Sequence, residues 1–215
     1  MISAMSGKTA ITHHFPHLSE SQWDQLNGYA DLLKRYNQSI NLISRKNESR
    51  IWEEHILHSL GIAKIVTFKA GDKVLDFGTG GGLPGIPLAI CFPSTSFLLV
   101  DSIGKKVRVV QEIVDALGLS NVRTRHTRVE DVQERFHFAV SRAVTALPRI
   151  TEWLEGKVLK GNAHEVPNGL LYLKGGDFED ELDEIDRPYQ VWNIADWFKD
   201  PFFETKKVLW LDLAH

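Results

Sequence analysis

The sequence predicts an α/β protein: a seven-stranded, mostly parallel sheet ending in a hairpin, with a small helical element in front of it. Three observations carry that expectation. Val74, Leu75 and Phe77 form an apolar run that stops at Gly78, the pattern of a central parallel strand covered on both faces. From there, apolar runs alternate with amphipathic stretches through five strands, as crossover connections require. The last two strand-like runs, 189–195 and 206–213, leave no room for a long helix between them, which predicts a hairpin.

The elements follow in order. Residues 1–18 read as a flexible N-terminus in which His13, His14 and His17 are exposed. Residues 19–68 form the helical element. Its first helix, 20–40, places Trp23, Leu26, Ala30, Leu33 and Ile40 on one stripe, with Ser19 as the cap. A second helix spans 48–66 and carries Ile51, Ile56, Leu60 and Ala63. Residues 69–215 form the sheet domain, entered through a turn at Lys69, Ala70, Gly71 and Asp72. Strands are expected at 73–78, 96–101, 121–126, 136–142, 169–174, 189–195 and 206–213, and helices at 84–91, 105–117, 144–155 and 177–185.

Composition narrows the function classes. The chain has 215 residues, 43% hydrophobic and 25% charged, enough for one sizeable core plus an accessory element. No apolar stretch has the length of a membrane span, and the first residues lack a hydrophobic signal core, so a cytoplasmic protein is expected. One cysteine, Cys91, excludes an internal disulfide framework. His55 and His58 share a helical face but lack further ligands at metal-binding spacing, so no metal is expected. The net charge of -3 argues against indiscriminate binding to nucleic acid. Local basic clusters, however, point to a polyanionic substrate: Lys105, Lys106 and Arg108; Arg123, Arg125 and Arg128; and Lys34, Arg35, Arg45, Lys46 and Arg50. Nothing in the sequence demands more than a monomer.

The chemistry concentrates after the first strand. Gly78, Gly80 and Gly82 let a ligand lie against the main chain. Counting from Gly78, a dinucleotide fingerprint fails at Leu83; counting from Gly80, the set Gly80, Gly82 and Gly85 satisfies it, so spacing alone leaves both nucleoside cofactors open. Two details favour S-adenosylmethionine. Asp76 lies inside the strand, where an acid is costly without a positive partner such as an amino-acid ammonium. Pro84 and Pro87 leave fewer helix amides for a diphosphate. Asp101 ends the second strand where it can accept from ribose hydroxyls, or cap the following helix. Glu130 follows the third strand, near an adenine. Arg142 and Lys174 end the fourth and fifth strands on the rim where open sheets bind ligands.

Together, the run from Asp76 to Gly85, Leu99-Val100-Asp101-Ser102-Ile103-Gly104-Lys105-Lys106, Val140-Ser141-Arg142-Ala143 and Leu173-Lys174-Gly175 closely resemble the bacterial RsmG (GidB) family of 16S ribosomal RNA guanine-N7 methyltransferases. The resemblance extends to Tyr36-Asn37-Gln38-Ser39-Ile40-Asn41-Leu42 and His55-Ile56-Leu57-His58-Ser59-Leu60, and covers roughly residues 20–175. It implies a class I S-adenosylmethionine-dependent methyltransferase, Rossmann-like in fold, acting on one guanine in the decoding-region loop of 16S rRNA, either naked or within the small ribosomal subunit. By that resemblance, Asp76, Gly78, Gly80, Leu83, Asp101, Val129, Glu130 and Arg142 hold the cofactor. Asn41, Arg142 and Lys174 face the RNA or the transferring methyl. One departure stands out: His58 occupies a position where the family usually carries aspartate. Guanine N7 has a lone pair and no proton to lose, so direct displacement needs alignment rather than a general base. A small-molecule acceptor is the alternative.

Overall fold

The computed structural model describes residues 7–213 and builds its sheet around β1 (Lys73–Phe77), whose side chains are buried after the first residue. The other strands are β2 (Ser96–Asp101), β3 (Val122–His126), β4 (Phe138–Arg142), β5 (Gly169–Gly175), β6 (Tyr189–Asn193) and β7 (Lys206–Asp212). Their order is β3-β2-β1-β4-β5-β7-β6. The first five are parallel, and β7 runs antiparallel to both β5 and β6. The expected hairpin is therefore present, with β7 inserted next to β5 so that β6 forms the edge. The order reverses between β1 and β4, the place where open sheets part their crossover connections and leave a crevice.

Four helices follow the strands: α4 (Gly85–Cys91), α5 (Gly104–Leu117), α6 (Leu147–Leu154) and α7 (Glu179–Asp183). Before them come α1 (Gly7–His14), α2 (Glu20–Asn37) and a broken helical stretch that includes α3 (His58–Leu60). Ser19 caps α2 as expected, in a reciprocal box with Gln22. The Gln22 side chain also donates to the carbonyls of Ile90 and Cys91, and Gln25 donates to that of Leu117. Thus α2 supplies partners for the open C-terminal ends of α4 and α5.

Three expectations for the part before the sheet change. The helix predicted over 48–66 is instead a 3-10 turn at Arg45–Arg50, a π-helical segment at Trp52–Leu57, α3, and a further 3-10 turn at Ile62–Lys64. The first helix stops at Asn37 rather than 40, because the Asn37 side chain takes the amides of Leu42 and Ile43 and turns the chain. Within the lead expected to be flexible, α1 forms and Ile11 is fully buried. His14 sits edge-on to Phe198 at 4.8 Å, while His13 and His17 are exposed.

Apolar side chains pack on both faces of the sheet. One cluster joins Leu26, Tyr29, Leu33 and Leu60 to Val74, Leu88 and Val110, so the front helices and the sheet share a single core. The other lies beneath α6 and includes Phe77, Val129, Leu147 and Tyr172.

Candidate functional site

At the C-terminal end of β1, Asp76 is fully buried. Its Oδ2 accepts from the Thr79 hydroxyl at 2.6 Å and from the Gly85 amide at 2.9 Å, whereas Oδ1 has no partner among the described residues. Burial raises the pKa of this carboxyl to about 7, against the pull of those two hydrogen bonds and the Arg142 charge. Two glycines are demanded by geometry. Gly78 has φ +63°, and a Cβ there would lie 2.7 Å from a Val144 methyl; a Cβ on Gly85 would lie 2.5 Å from Asp76 Oδ2.

Asp101, at the end of β2, braces the turn from the other side. Its Oδ2 accepts from the Gly80 amide and its Oδ1 from the Ile103 amide, both at 2.9 Å. It thus holds the amide just before α5, without capping that helix, and it lines the cleft. That cleft is bounded by Gly78, Asp101, Arg128, Val129, Glu130 and Trp153. Trp153, on α6, is a wall the sequence did not announce. Its helix was recognised, but its facing depends on where α6 begins.

The front helices close the turn from above. The Tyr29 hydroxyl donates to the Gly81 carbonyl at 3.0 Å, and a Cβ on Gly81 would press on Leu33 and Leu42. Asn41 is exposed on the loop held by Asn37, one residue before Leu42. Asn37 also donates to Glu48 at 2.5 Å. It was visible only as part of a motif, and its organising role needs the tertiary fold. Leu83 is buried within the turn.

Arg142 and Lys174 are not side by side over the cleft. Arg142 turns toward the π-helical segment, donating to the Glu54 carbonyl at 3.3 Å and meeting His55 Nδ1 at 3.2 Å. A guanidinium only donates, so His55 Nδ1 must accept and the ring proton sits on Nε2, which has no partner among the described residues. Burial and the Arg142 charge depress the His55 pKa to about 3. Lys174 borders a second cleft with Ala143, Val144, Thr145, Tyr172 and Gly175. It is ion-paired with Glu181 at 2.5 Å, rather than with Asp76 or Glu130. Val144 lines both clefts.

The basic clusters are partly spent. Arg123 and Arg125 share Glu134 at 2.7 and 2.6 Å, and this pairing lowers the Glu134 pKa. The side chains of Arg45 and Lys46 lie outside the described set. No cluster of three His, Cys, Asp or Glu side chains suited to a metal ion occurs among the described residues. None of their helices is long and apolar enough to cross a membrane.

The family model described as rRNA small subunit methyltransferase G matches residues 22–206. The chain belongs to this family. It is 47% identical over 199 residues to ribosomal RNA small subunit methyltransferase G of Cytophaga hutchinsonii, covering 93% of this chain and 96% of that protein. With the protein of the same name from Flavobacterium psychrophilum it shares 49% identity over 203 residues, covering 94% and 97%. Among solved structures, a SAM dependent methyltransferase from Aquifex aeolicus superposes with a TM-score of 0.56 at 16% identity, covering 85% of this chain and 97% of that one. That likeness shows the class I methyltransferase fold. His58 is buried and edge-on to Phe202 and Phe203, at 5.5 and 6.2 Å. Burial, with Arg142 and Lys206 nearby, holds its pKa well below the usual histidine value.

Proposed function

We propose that the protein transfers a methyl group from S-adenosylmethionine to N7 of a guanine in the decoding-region loop of 16S rRNA. The observation that carries this reading is the buried, half-partnered Asp76 at the sheet's switch point, in a chain of this methyltransferase family. The residues suit the cofactor's three parts. Asp76 Oδ1 is an acceptor for an ammonium, directly or through water. Asp101, at the cleft wall, offers lone pairs to ribose hydroxyls beyond the two amides it already serves. Val129, Glu130 and Trp153 form a partly apolar slot for a purine.

When bound, S-adenosylmethionine supplies an electrophilic methyl on sulfonium. The chain's own task is alignment. Gly78 and Gly80 bring backbone close to the ligand, and the Val144 side chain backs the cleft. Arg142 lowers the cost of an ionised Asp76 without entering the cleft lining. No side chain needs to remove a proton from N7. Lys174, in the adjoining cleft, would take a phosphate or a purine O6 edge, exchanging its contact with Glu181. Asn41 faces the same acceptor from the front loop. The setting is the cytoplasm, where that RNA is assembled.

The test is label transfer. The purified protein is incubated with methyl-labelled S-adenosylmethionine and small-subunit RNA, free or in subunits, from cells lacking the gene. Label in RNA recovered as N7-methylguanosine is expected. Cofactor binding with no transfer to any form of the RNA would move the acceptor to a small molecule.

A further inference from the structure

Val144, which borders both clefts, sits in a three-residue turn after β4, Ala143 to Thr145. Ala143 has φ +52°, a left-handed conformation that residues with a Cβ rarely adopt, so something must hold it. Directly behind lies Tyr172 on β5, only 1% exposed. Its hydroxyl accepts from the Val144 amide at 2.9 Å and donates to the Thr145 carbonyl at 3.0 Å. Both capacities of one phenol are thus spent on this turn. A buried phenol stays protonated, as two-way bonding requires, and burial raises its pKa further.

We infer that Tyr172 is a positioning residue for methyl transfer: its hydroxyl clamps the Ala143–Thr145 turn so that Val144 backs the cofactor cleft while Thr145 and Lys174 shape the acceptor cleft. Val144 is the contact between the two halves. Its methyl would be 2.7 Å from a Cβ on Gly78, and it borders both spaces. A turn free to relax toward ordinary φ values moves that side chain and changes the angle at which acceptor and methyl donor meet. The inference rests on the proposed reaction for its catalytic part, and on the geometry alone for its cofactor part.

Tyr172→Phe keeps the buried ring and removes only the clamp. In this variant, S-adenosylhomocysteine, titrated calorimetrically, is expected to bind about threefold more weakly, because two part-buried backbone groups lose their partner and the wall loosens. With rRNA as acceptor, kcat should fall about tenfold while KM for RNA changes by less than about twofold, the split expected of lost alignment rather than lost affinity. Adding Ala143→Gly should recover about threefold of that kcat, since glycine takes the positive φ unaided. A purely structural hydroxyl would lower the melting temperature without that split or that rescue. If S-adenosylhomocysteine affinity and kcat both stay at wild-type values, the inference is overturned. If the wild-type protein transfers nothing to rRNA, the acceptor reading fails, and the S-adenosylhomocysteine titration still decides the role of Tyr172.

Discussion

A carboxyl sealed from water resists ionisation, and Asp76 is such a group, with a pKa raised from 3.8 to about 7. The folded chain therefore holds this proton more tightly than the unfolded chain. Its contribution to stability is greatest below about pH 3.8 and declines as pH climbs toward 7, by an upper bound of about 4 kcal/mol. His55 and His58 act in the opposite sense. Their folded pKa values lie below the usual 6.5, so they stabilise above that pH and lose that stabilisation as pH falls, for His55 down to about 3. Between these slopes, the melting temperature of the cofactor-free protein should peak near pH 6.5. Asp76→Asn should steepen the rise in melting temperature from about pH 4 to 6.5, keep the acid-side loss, and weaken S-adenosylmethionine binding at least about tenfold. Melting curves across pH and one calorimetric titration check all three; an unchanged affinity would remove Asp76 from the cofactor site.

At the scale of elements, the β1–α4 turn is built around contacts that leave no spare room. Gly85→Ala places a methyl 2.5 Å from Asp76 Oδ2 and 2.9 Å from Leu99. Chemical denaturation should show a loss of about 1–3 kcal/mol, with weaker cofactor binding because the carboxylate must shift. Asn37→Ala strands two buried amides, so about 2 kcal/mol of stability should go, and transfer to RNA should suffer more than cofactor binding as the Asn41 loop loses its anchor. The central strands were readable in the sequence because burial on both faces leaves continuous apolar runs. The stretch after Arg45 was not, because its path depends on a distant residue. Arg142 claims the Glu54 carbonyl, and a π-helical segment accommodates it. Likewise α6 starts at Leu147 rather than 144, because Tyr172 holds the preceding turn from another strand.

Over the whole molecule, the front helices and the sheet bury a common apolar cluster, and Tyr29 and Leu33 rest directly on the glycine turn. A chain shortened to begin at β1 should therefore lose cooperative thermal unfolding, with its exposed α4 and α5 faces binding hydrophobic dyes; a sharp native-like melt would contradict the shared core. The candidate site divides in the same way between near and far. Asp76, Gly78, Gly80, Asp101 and Glu130 were readable because they lie on or beside strand ends whose order follows from the chain, whereas Val129 came only with the family resemblance. Trp153, Tyr29, Tyr172 and Asn37 join them only through packing. Arg142 and Lys174, which sequence position alone had placed together, differ in their partners: Arg142 meets Glu54 and His55, and Lys174 meets Glu181.

The central claim is tested most directly at a single atom of the RNA. After incubation with the protein and S-adenosylmethionine, 16S rRNA from cells lacking the gene is reduced with borohydride and treated with aniline, which cleaves the chain at N7-methylguanosine. One new cut in the decoding-region loop, absent without cofactor and sharply reduced with Asp76→Asn, is the expected result. An uncut RNA that has nonetheless gained methyl groups would contradict transfer to guanine N7.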